Sequence, residues 1–280
     1  SCAAQNLPDI REVEPDLEVP PIADGPAAAG KRVLQAHPDW TVEHTLYLPP
    51  SWKADSKQKL PVLIELPGNG GYRNRLGDEC TGRPEGCKLG YGISGGEGYI
   101  WASMPFVNEA GDSIAIQWWG DKPSHDPKPT VKHLTDVVPW ICEKYGGDPD
   151  LVILLGFSRG AIACNYIGLH DDEIAGFWRA MVPYSHYDGV RKWSYPESDR
   201  DAAAVRLKRL NGMPQFICHE GKGVEGTKAY LKESTDGDFT FAATGFRNHN
   251  DGWTLRPSAA RKQLRDWIAN LVLEVNEKQP

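Results

Sequence analysis

The chain has 280 residues, of which 40% are hydrophobic and 25% are charged, proportions that are ordinary for a soluble globular protein with a substantial core. Its formal net charge of −7 argues against a nucleic-acid or anionic-membrane partner. No apolar run approaches the length of a membrane-spanning helix.

The first 30 residues are rich in proline, alanine and acidic residues and show little periodicity. They predict an extended arm that lies on the following domain or is partly disordered. Because the chain begins Ser1-Cys2 without methionine, we expect that an upstream segment has been removed. Cys2 fits either a lipid-attachment cysteine or an arbitrary chain start, and we expect an exported protein that is secreted, periplasmic or held at the cell surface.

From Lys31 onward, apolar runs of strand length alternate with segments of helical period, which predicts one domain over residues 31–280. Such alternation is typical of an α/β protein with a mostly parallel sheet that is covered by helices on both faces. The predicted strands cover residues 33–36, 41–48, 60–66, 99–104, 113–117, 151–155, 177–184, 214–219 and 238–243, and the predicted helices cover residues 130–145, 161–167, 201–210, 226–232 and 255–275.

Residues 72–98 form a glycine-rich segment without a clear helical period. It is too long to be a simple connection, so we expect it to cover one side of a functional site. Cys80 and Cys87 lie within it at a spacing that suits a small disulfide-closed loop, although two free thiols would fit as well.

The strongest motif is Gly156-Phe157-Ser158-Arg159-Gly160, which follows five apolar residues and precedes a helical segment. A serine at the tip of a sharp turn between strand and helix is typical of a nucleophile elbow. The two glycines fit because strand and helix pass too close for a side chain. The alternative is a surface serine in an ordinary strand–helix turn.

With this elbow, the glycine-rich turn Pro67-Gly68-Asn69-Gly70-Gly71 and a histidine loop just before the last helix, the chain from about Lys31 onward resembles the α/β-hydrolase superfamily. Within it, the chain is most similar to secreted, lidless esterases of the feruloyl-esterase, acetylxylan-esterase and polyhydroxybutyrate-depolymerase type. The resemblance implies an α/β-hydrolase fold and a nucleophile, acid and histidine in that chain order.

On this resemblance Ser158 is the nucleophile and His249 is the base, with His186 as the rival histidine because it also follows a strand. The acid is less clear, because the superfamily pattern places an aspartate near Gly223, where this chain has glycine. Glu220, at the tip of the preceding strand, is the preferred acid. Glu225 and Asp188 are the alternatives.

The resemblance also implies an oxyanion hole made by the backbone N–H of Arg159 and one from Asn69 or Gly70. The Arg159 guanidinium has three open interpretations: it lies near the developing oxyanion, it binds a substrate carboxylate, or it forms a structural salt bridge.

Five further residues are candidates for substrate binding. The Trp118-Trp119 pair is either a stacking platform for a sugar or aromatic ring or buried packing. His186, Asp188 and Trp253 are placed near the same site, with Trp253 alternatively packed beneath its loop.

These residues predict a serine carboxylic-ester hydrolase that works through an acyl-enzyme, on an ester of a polysaccharide or on a small acyl or aromatic ester. The alternatives are a serine peptidase of the same fold and a non-catalytic carbohydrate-binding relative. We expect no cofactor and no metal, because no His, Cys or Asp cluster has ligand spacing on one element.

Overall fold

The computed structural model of the chain describes residues 7–277, so Cys2 lies outside the described residues. Within this range the chain forms ten strands and seven α-helices. The strands are β1 (Arg32–Gln35), β2 (His44–Tyr47), β3 (Leu60–Leu66), β4 (Tyr72–Arg73), β5 (Glu79–Cys80), β6 (Ile100–Ser103), β7 (Gly147–Phe157), β8 (Ala180–Tyr184), β9 (Gln215–His219) and β10 (Phe239–Ala243). The helices are α1 (Leu89–Ser94), α2 (Lys128–Tyr145), α3 (Arg159–Tyr166), α4 (Asp172–Ala175), α5 (Arg200–Leu207), α6 (Gly223–Ser234) and α7 (Ala259–Asn276).

Eight strands form one sheet in the order β1-β2-β6-β3-β7-β8-β9-β10. The pairs β1–β2 and β2–β6 are antiparallel, and every later pair is parallel. Parallel strands end at the same edge of a sheet, so the segments that follow β3, β7, β8, β9 and β10 meet there. This edge positions the candidate site described below.

The sheet separates two hydrophobic layers, and neighbouring residues of one strand belong to opposite layers. In β7, Val152 and Leu154 pack on the face that α2, α3, α4, α5 and α6 cover. Ile153 and Leu155 pack on the other face, against α1 and α7. This alternation explains why β7 reads as a continuous apolar run, and the predicted mostly parallel sheet with helices on both faces is confirmed.

Residues 7–30 lie against the domain and contact its C-terminal third. Ile10 N–H donates a 2.7 Å hydrogen bond to the Asn248 side chain, and Arg247 N–H donates a 3.1 Å bond to the Pro8 carbonyl. Further along, Asp16 accepts two hydrogen bonds of 2.5 Å from Arg261 on α7. The arm therefore touches the segment that carries His249.

Two local predictions are wrong. Residues 113–117 do not form a strand, because only one isolated bridge joins Val107 and Ile114. The predicted disulfide is not formed either: Cys80 and Cys87 are free thiols, and burial raises the pKa of both. The glycine-rich segment around them contains the small β4–β5 hairpin and α1, for which the sequence offered no periodic signal.

Candidate active site

Ser158 occupies the tight turn between β7 and α3 with a positive φ of 54°. Its N–H donates a 2.9 Å hydrogen bond to the Tyr184 carbonyl at the end of β8. A Cβ on Gly156 would lie 2.0 Å from the Gly160 carbonyl oxygen, and a Cβ on Gly160 would lie 2.0 Å from the Leu66 carbonyl oxygen. Both positions therefore require glycine, and the serine is held in a conformation that other residues rarely adopt.

The structure brings Ser158, His249 and Glu220 together from three separate segments. His249 follows β10, and its Nε2 lies 3.0 Å from Ser158 Oγ. Its Nδ1 lies 2.8 Å from Oε1 of Glu220, the residue directly after β9. Burial disfavours ionisation of Glu220, but the hydrogen bond and charge of His249 outweigh it and hold the pKa of this carboxyl below its usual range. An ionised carboxylate at this position favours the proton on Nδ1 and leaves the Nε2 lone pair facing Ser158.

The two alternative acids lie elsewhere. Glu225 is exposed on α6, where it accepts a 2.9 Å hydrogen bond from Lys228. Asp188 is buried and accepts hydrogen bonds of 2.7 and 3.1 Å from Arg206, so it is not a substrate-binding residue as predicted. Burial raises the pKa of Asp188 to about 6. Its chemistry is that of a structural ion pair.

Asp78, which the sequence did not single out, anchors the histidine loop. It is 1% exposed, and its Oδ2 accepts a 3.1 Å hydrogen bond from the N–H of His249. Its Oδ1 accepts bonds of 2.9 and 3.1 Å from the side chains of Asn248 and Asn250. One carboxylate therefore binds three consecutive residues around the histidine. The covering role predicted for residues 72–98 is seen here, where the Tyr72 ring also lies 5.1 Å from the His249 ring.

Ser185 is a second residue that the sequence did not single out. It follows β8 directly, is fully buried, and has a φ of 91°. Its Oγ lies 3.0 Å from Glu220 Oε1 and 2.7 Å from His249 Nδ1. The one sequence signal for this contact is the place of Ser185 at the end of a strand, next to His186.

Of the backbone N–H groups predicted to form the oxyanion hole, the structure leaves those of Asn69 and Arg159 available and excludes that of Gly70. Gly70 N–H is already used, because it donates a 2.5 Å hydrogen bond to the Ile116 carbonyl. The side chain of Asn69 accepts a 2.8 Å bond from Trp118 N–H, which fixes the loop. The backbone N–H groups of Asn69 and Arg159 donate to no residue that the structure describes. They remain as the two candidate donors.

The Arg159 side chain has none of its three predicted roles. It is fully buried, and its guanidinium donates to the carbonyls of Ala115 (2.9 Å), Gly82 (3.2 Å) and Trp118. Its carbon lies 4.1 Å from the centre of the Phe106 ring. Burial lowers the pKa of Arg159 to about 9. The side chain joins two loops and does not face a substrate.

Aromatic rings extend from the histidine along the surface. The ring centres of His249 and His186 lie 5.5 Å apart, His186 and Trp193 another 5.5 Å, and Trp193 and Trp118 5.3 Å. His186, Trp193 and Trp118 are each partly exposed, and we call these three residues the aromatic row. Burial lowers the pKa of His186 to about 4.

The other two predicted aromatic contacts belong to the core. Trp119 is 0% exposed and stacks on Tyr166 at 4.5 Å, whereas Trp253 is 1% exposed and packs against Tyr184 at 5.7 Å. Neither reaches a substrate surface, so their predicted binding roles are wrong. Spacing alone cannot tell an exposed tryptophan from a buried one.

A mostly parallel sheet with this strand order, a serine elbow after β7 and a histidine after the last strand define the α/β-hydrolase fold. Solved structures agree. A Rhizomucor miehei esterase matches with a TM-score of 0.55 and 13% identity, over 89% of this chain and 84% of that one. The feruloyl esterase module from Clostridium thermocellum matches with a TM-score of 0.50 and 15% identity, over 91% and 94%.

Peptidases share the same likeness at lower coverage of their own length. A Bacteroides ovatus protein assigned as a dipeptidyl aminopeptidase IV matches with a TM-score of 0.55 and 14% identity, over 86% of this chain, which spans only 35% of that protein. No family model and no curated protein matches the chain. These likenesses confirm the predicted fold. Because the identities are low, they show the fold alone. Across residues 7–277, no helix is long and apolar enough to cross a membrane.

Proposed function

We propose that the chain is a serine carboxylic-ester hydrolase whose nucleophile, base and acid are Ser158, His249 and Glu220. The observation that carries the proposal is the continuous contact from Ser158 Oγ to His249 Nε2 (3.0 Å) and from His249 Nδ1 to Glu220 Oε1 (2.8 Å). A serine hydroxyl becomes a good nucleophile only when a neighbouring base takes its proton.

In the proposed reaction, Ser158 Oγ attacks the ester carbonyl while His249 Nε2 accepts the hydroxyl proton. The backbone N–H groups of Asn69 and Arg159 stabilise the oxyanion that develops on the carbonyl oxygen. His249 then gives the proton to the departing alcohol, which leaves an acyl group on Ser158. A water molecule then attacks the acyl carbonyl while His249 accepts its proton. The bond from the acyl carbon to Ser158 Oγ breaks, His249 returns the proton to Oγ, and the acid is released.

The aromatic row supports a substrate class as part of the proposal. His186, Trp193 and Trp118 begin beside the histidine and remain partly exposed, and flat rings of this kind stack on sugar or aromatic rings. We therefore propose an ester that carries a sugar or aromatic ring, including esters that decorate a polysaccharide.

A serine peptidase is the second candidate, favoured by the likeness to the Bacteroides ovatus protein. The same residues would attack an amide, and the two functions differ in leaving group.

The export of the protein and a lipid anchor on Cys2 stay predictions. The prediction of export loses one support, because Cys80 and Cys87 are free thiols and not a disulfide.

The test is labelling with a fluorophosphonate probe, followed by peptide mapping of the adduct. We expect labelling at Ser158 and hydrolysis of short p-nitrophenyl esters, both lost in Ser158→Ala and retained in the exposed-loop control Ser113→Ala. A chain that is neither labelled nor active on any ester or amide would support the non-catalytic alternative. Acetylated, feruloylated and glucuronoyl-ester sugars, compared with matched amides, then separate the substrate classes.

A further inference from the structure

Ser185, Glu220 and His249 form a closed triangle of polar atoms behind the candidate nucleophile. Ser185 Oγ lies 3.0 Å from Glu220 Oε1 and 2.7 Å from His249 Nδ1, and these two atoms lie 2.8 Å apart. Ser185 is fully buried, so water does not compete strongly for its hydroxyl. Glu220 and His249 are partly exposed, so Ser185 forms the buried corner of the triangle.

The protons of this triangle can be assigned from its chemistry. An ionised carboxylate only accepts hydrogen bonds, whereas a hydroxyl has one proton to donate and lone pairs to accept. The Ser185 hydroxyl thus donates its proton to Glu220, and its Oγ accepts a hydrogen bond from His249 Nδ1–H. The Glu220 carboxylate accepts from the same Nδ1–H. If the imidazole proton were on Nε2, Nδ1 and the Glu220 carboxylate would face each other at 2.8 Å as two acceptors with no proton between them. The contact therefore favours the proton on Nδ1, which leaves the Nε2 lone pair free to face Ser158.

The backbone at Ser185 is held in a position that costs free energy. Its φ of 91° is ordinary for glycine and unfavourable for serine. Its N–H donates a 2.9 Å hydrogen bond to the Cys218 carbonyl on β9, which fixes the turn next to Glu220. Strained residues of this kind are often retained at functional sites, and here the strained residue directs a hydroxyl at the acid and the histidine.

We propose that Ser185 is a positioning residue that holds the Glu220 carboxylate against His249 and selects the Nδ1–H tautomer. This inference rests on the proposed function, because it assigns Ser185 to the same reaction. Ser185 touches neither the substrate nor the attacking oxygen. It acts through the two residues that prepare Ser158.

The experiment compares Ser185→Ala, Ser185→Gly and Ser103→Ala. The first removes the hydroxyl, the second also relieves the positive φ, and the third removes a buried hydroxyl on β6. We expect the first two to lower kcat by about tenfold to a hundredfold, the effect of losing a hydrogen bond to a charged group, with KM changed by less than about twofold. Ser103→Ala should match wild type. Ser185→Gly also guards against poor folding, since glycine accepts this φ without strain.

A second readout does not depend on turnover. In protein labelled with ¹⁵N-histidine, the downfield Nδ1–H proton of His249 should exchange with water faster in both Ser185 variants than in wild type. Unchanged exchange, or wild-type kcat in Ser185→Gly, would overturn the inference even if the chain is a confirmed esterase. If the wild-type protein lacks all hydrolytic activity and exchange is still faster in the Ser185 variants, the positioning role is supported while the proposed function fails.

Discussion

Asp78 accepts a 3.1 Å hydrogen bond from the backbone N–H of His249, a residue 171 positions further along the chain. The contact joins the loop between β4 and β5 to the loop after β10. Asp78 binds the backbone of His249 and so fixes the position of its main chain, whereas Glu220 binds Nδ1 and so fixes the orientation of the imidazole ring. The histidine is therefore held at two independent points.

We expect Asp78→Ala to lower both stability and kcat. The change leaves the N–H of His249 and the side chains of Asn248 and Asn250 without their acceptor, and each buried donor left unpaired costs about 1–3 kcal/mol. Urea unfolding and steady-state kinetics measure the two effects. Asp78→Asn retains one acceptor oxygen and should be milder. Wild-type kcat in Asp78→Ala would contradict the anchoring role.

Replacement of the three candidate acids should separate their roles. Glu220→Gln should lower kcat by about 10³–10⁴-fold, because the amide no longer favours the productive tautomer. Glu225→Gln should leave kcat unchanged, since Glu225 is exposed and bonded to Lys228. Asp188→Asn should lower stability by about 3–5 kcal/mol, as expected when one partner of a buried ion pair is removed. Near-wild-type turnover in Glu220→Gln would refute the assignment of the acid.

The low pKa of Glu220 makes part of the stability dependent on pH. A carboxyl whose pKa is lower in the folded than in the unfolded state stabilises the fold above its unfolded pKa of about 4.3, and this contribution is lost as pH falls through the folded pKa. The difference in unfolding free energy between wild type and Glu220→Gln should hence be constant near neutral pH and shrink below about pH 4. Urea titrations at several pH values measure it. A difference that grows on acidification would contradict the sign.

Arg159→Lys should destabilise the protein without changing its preference for charged substrates. Lysine cannot reach the carbonyls of Gly82, Ala115 and Trp118 together as the planar guanidinium does. We expect a loss of about 2–4 kcal/mol in unfolding free energy. The exposed Arg73→Lys is the matched control. The ratio of kcat/KM for neutral and anionic esters should stay at the wild-type value, and a selective loss for anionic esters would revive the substrate-binding interpretation.

Trp118→Ala and Trp193→Ala should raise KM for esters that carry a sugar or aromatic ring by about tenfold, the loss expected when one stacking contact of 0.5–1.5 kcal/mol and its buried area disappear. Small aliphatic esters should be hydrolysed as by wild type. Trp52→Ala, at a half-buried tryptophan bonded to the Tyr145 carbonyl away from the histidine, is the control. Equal losses for ring-bearing and aliphatic esters would indicate a structural role.

Local patterns in the sequence predicted the sheet, and the resemblance to the α/β-hydrolase superfamily predicted that Ser158, His249 and Glu220 meet. Apolar runs mark buried strands, and strand ends in a parallel sheet converge. The place of Glu220 at a strand tip favours it over Glu225, and the structure brings Glu220, and not Glu225, to the histidine.

Contacts without a local pattern were beyond prediction. Asp78 lies in a segment without periodicity, and its partners are far away in the chain. The partners of Arg159 are backbone carbonyls, which every residue has, so no residue type in the sequence indicates them. Trp118 and Trp119 are neighbours, yet one is partly exposed and the other fully buried, a difference that depends on tertiary packing alone.

The attachment of Arg159 to carbonyl oxygens has a consequence for how such a protein can diversify. A backbone acceptor does not depend on the side chain of the residue that carries it, so the bonds to the Ala115 and Trp118 carbonyls place no demand on the side chains there. Gly82 differs, because a Cβ at this position would clash with the Ile116 carbonyl oxygen. Ile116 and Gln117 are both exposed between the Ala115 and Trp118 anchor points, so their side chains can change while the loop keeps its course. The side-chain bond that a change at Gln117 would remove is the 3.4 Å bond to the Gly70 carbonyl. Substitutions at Ile116 therefore alter the exposed surface of this loop and leave the elbow serine undisturbed.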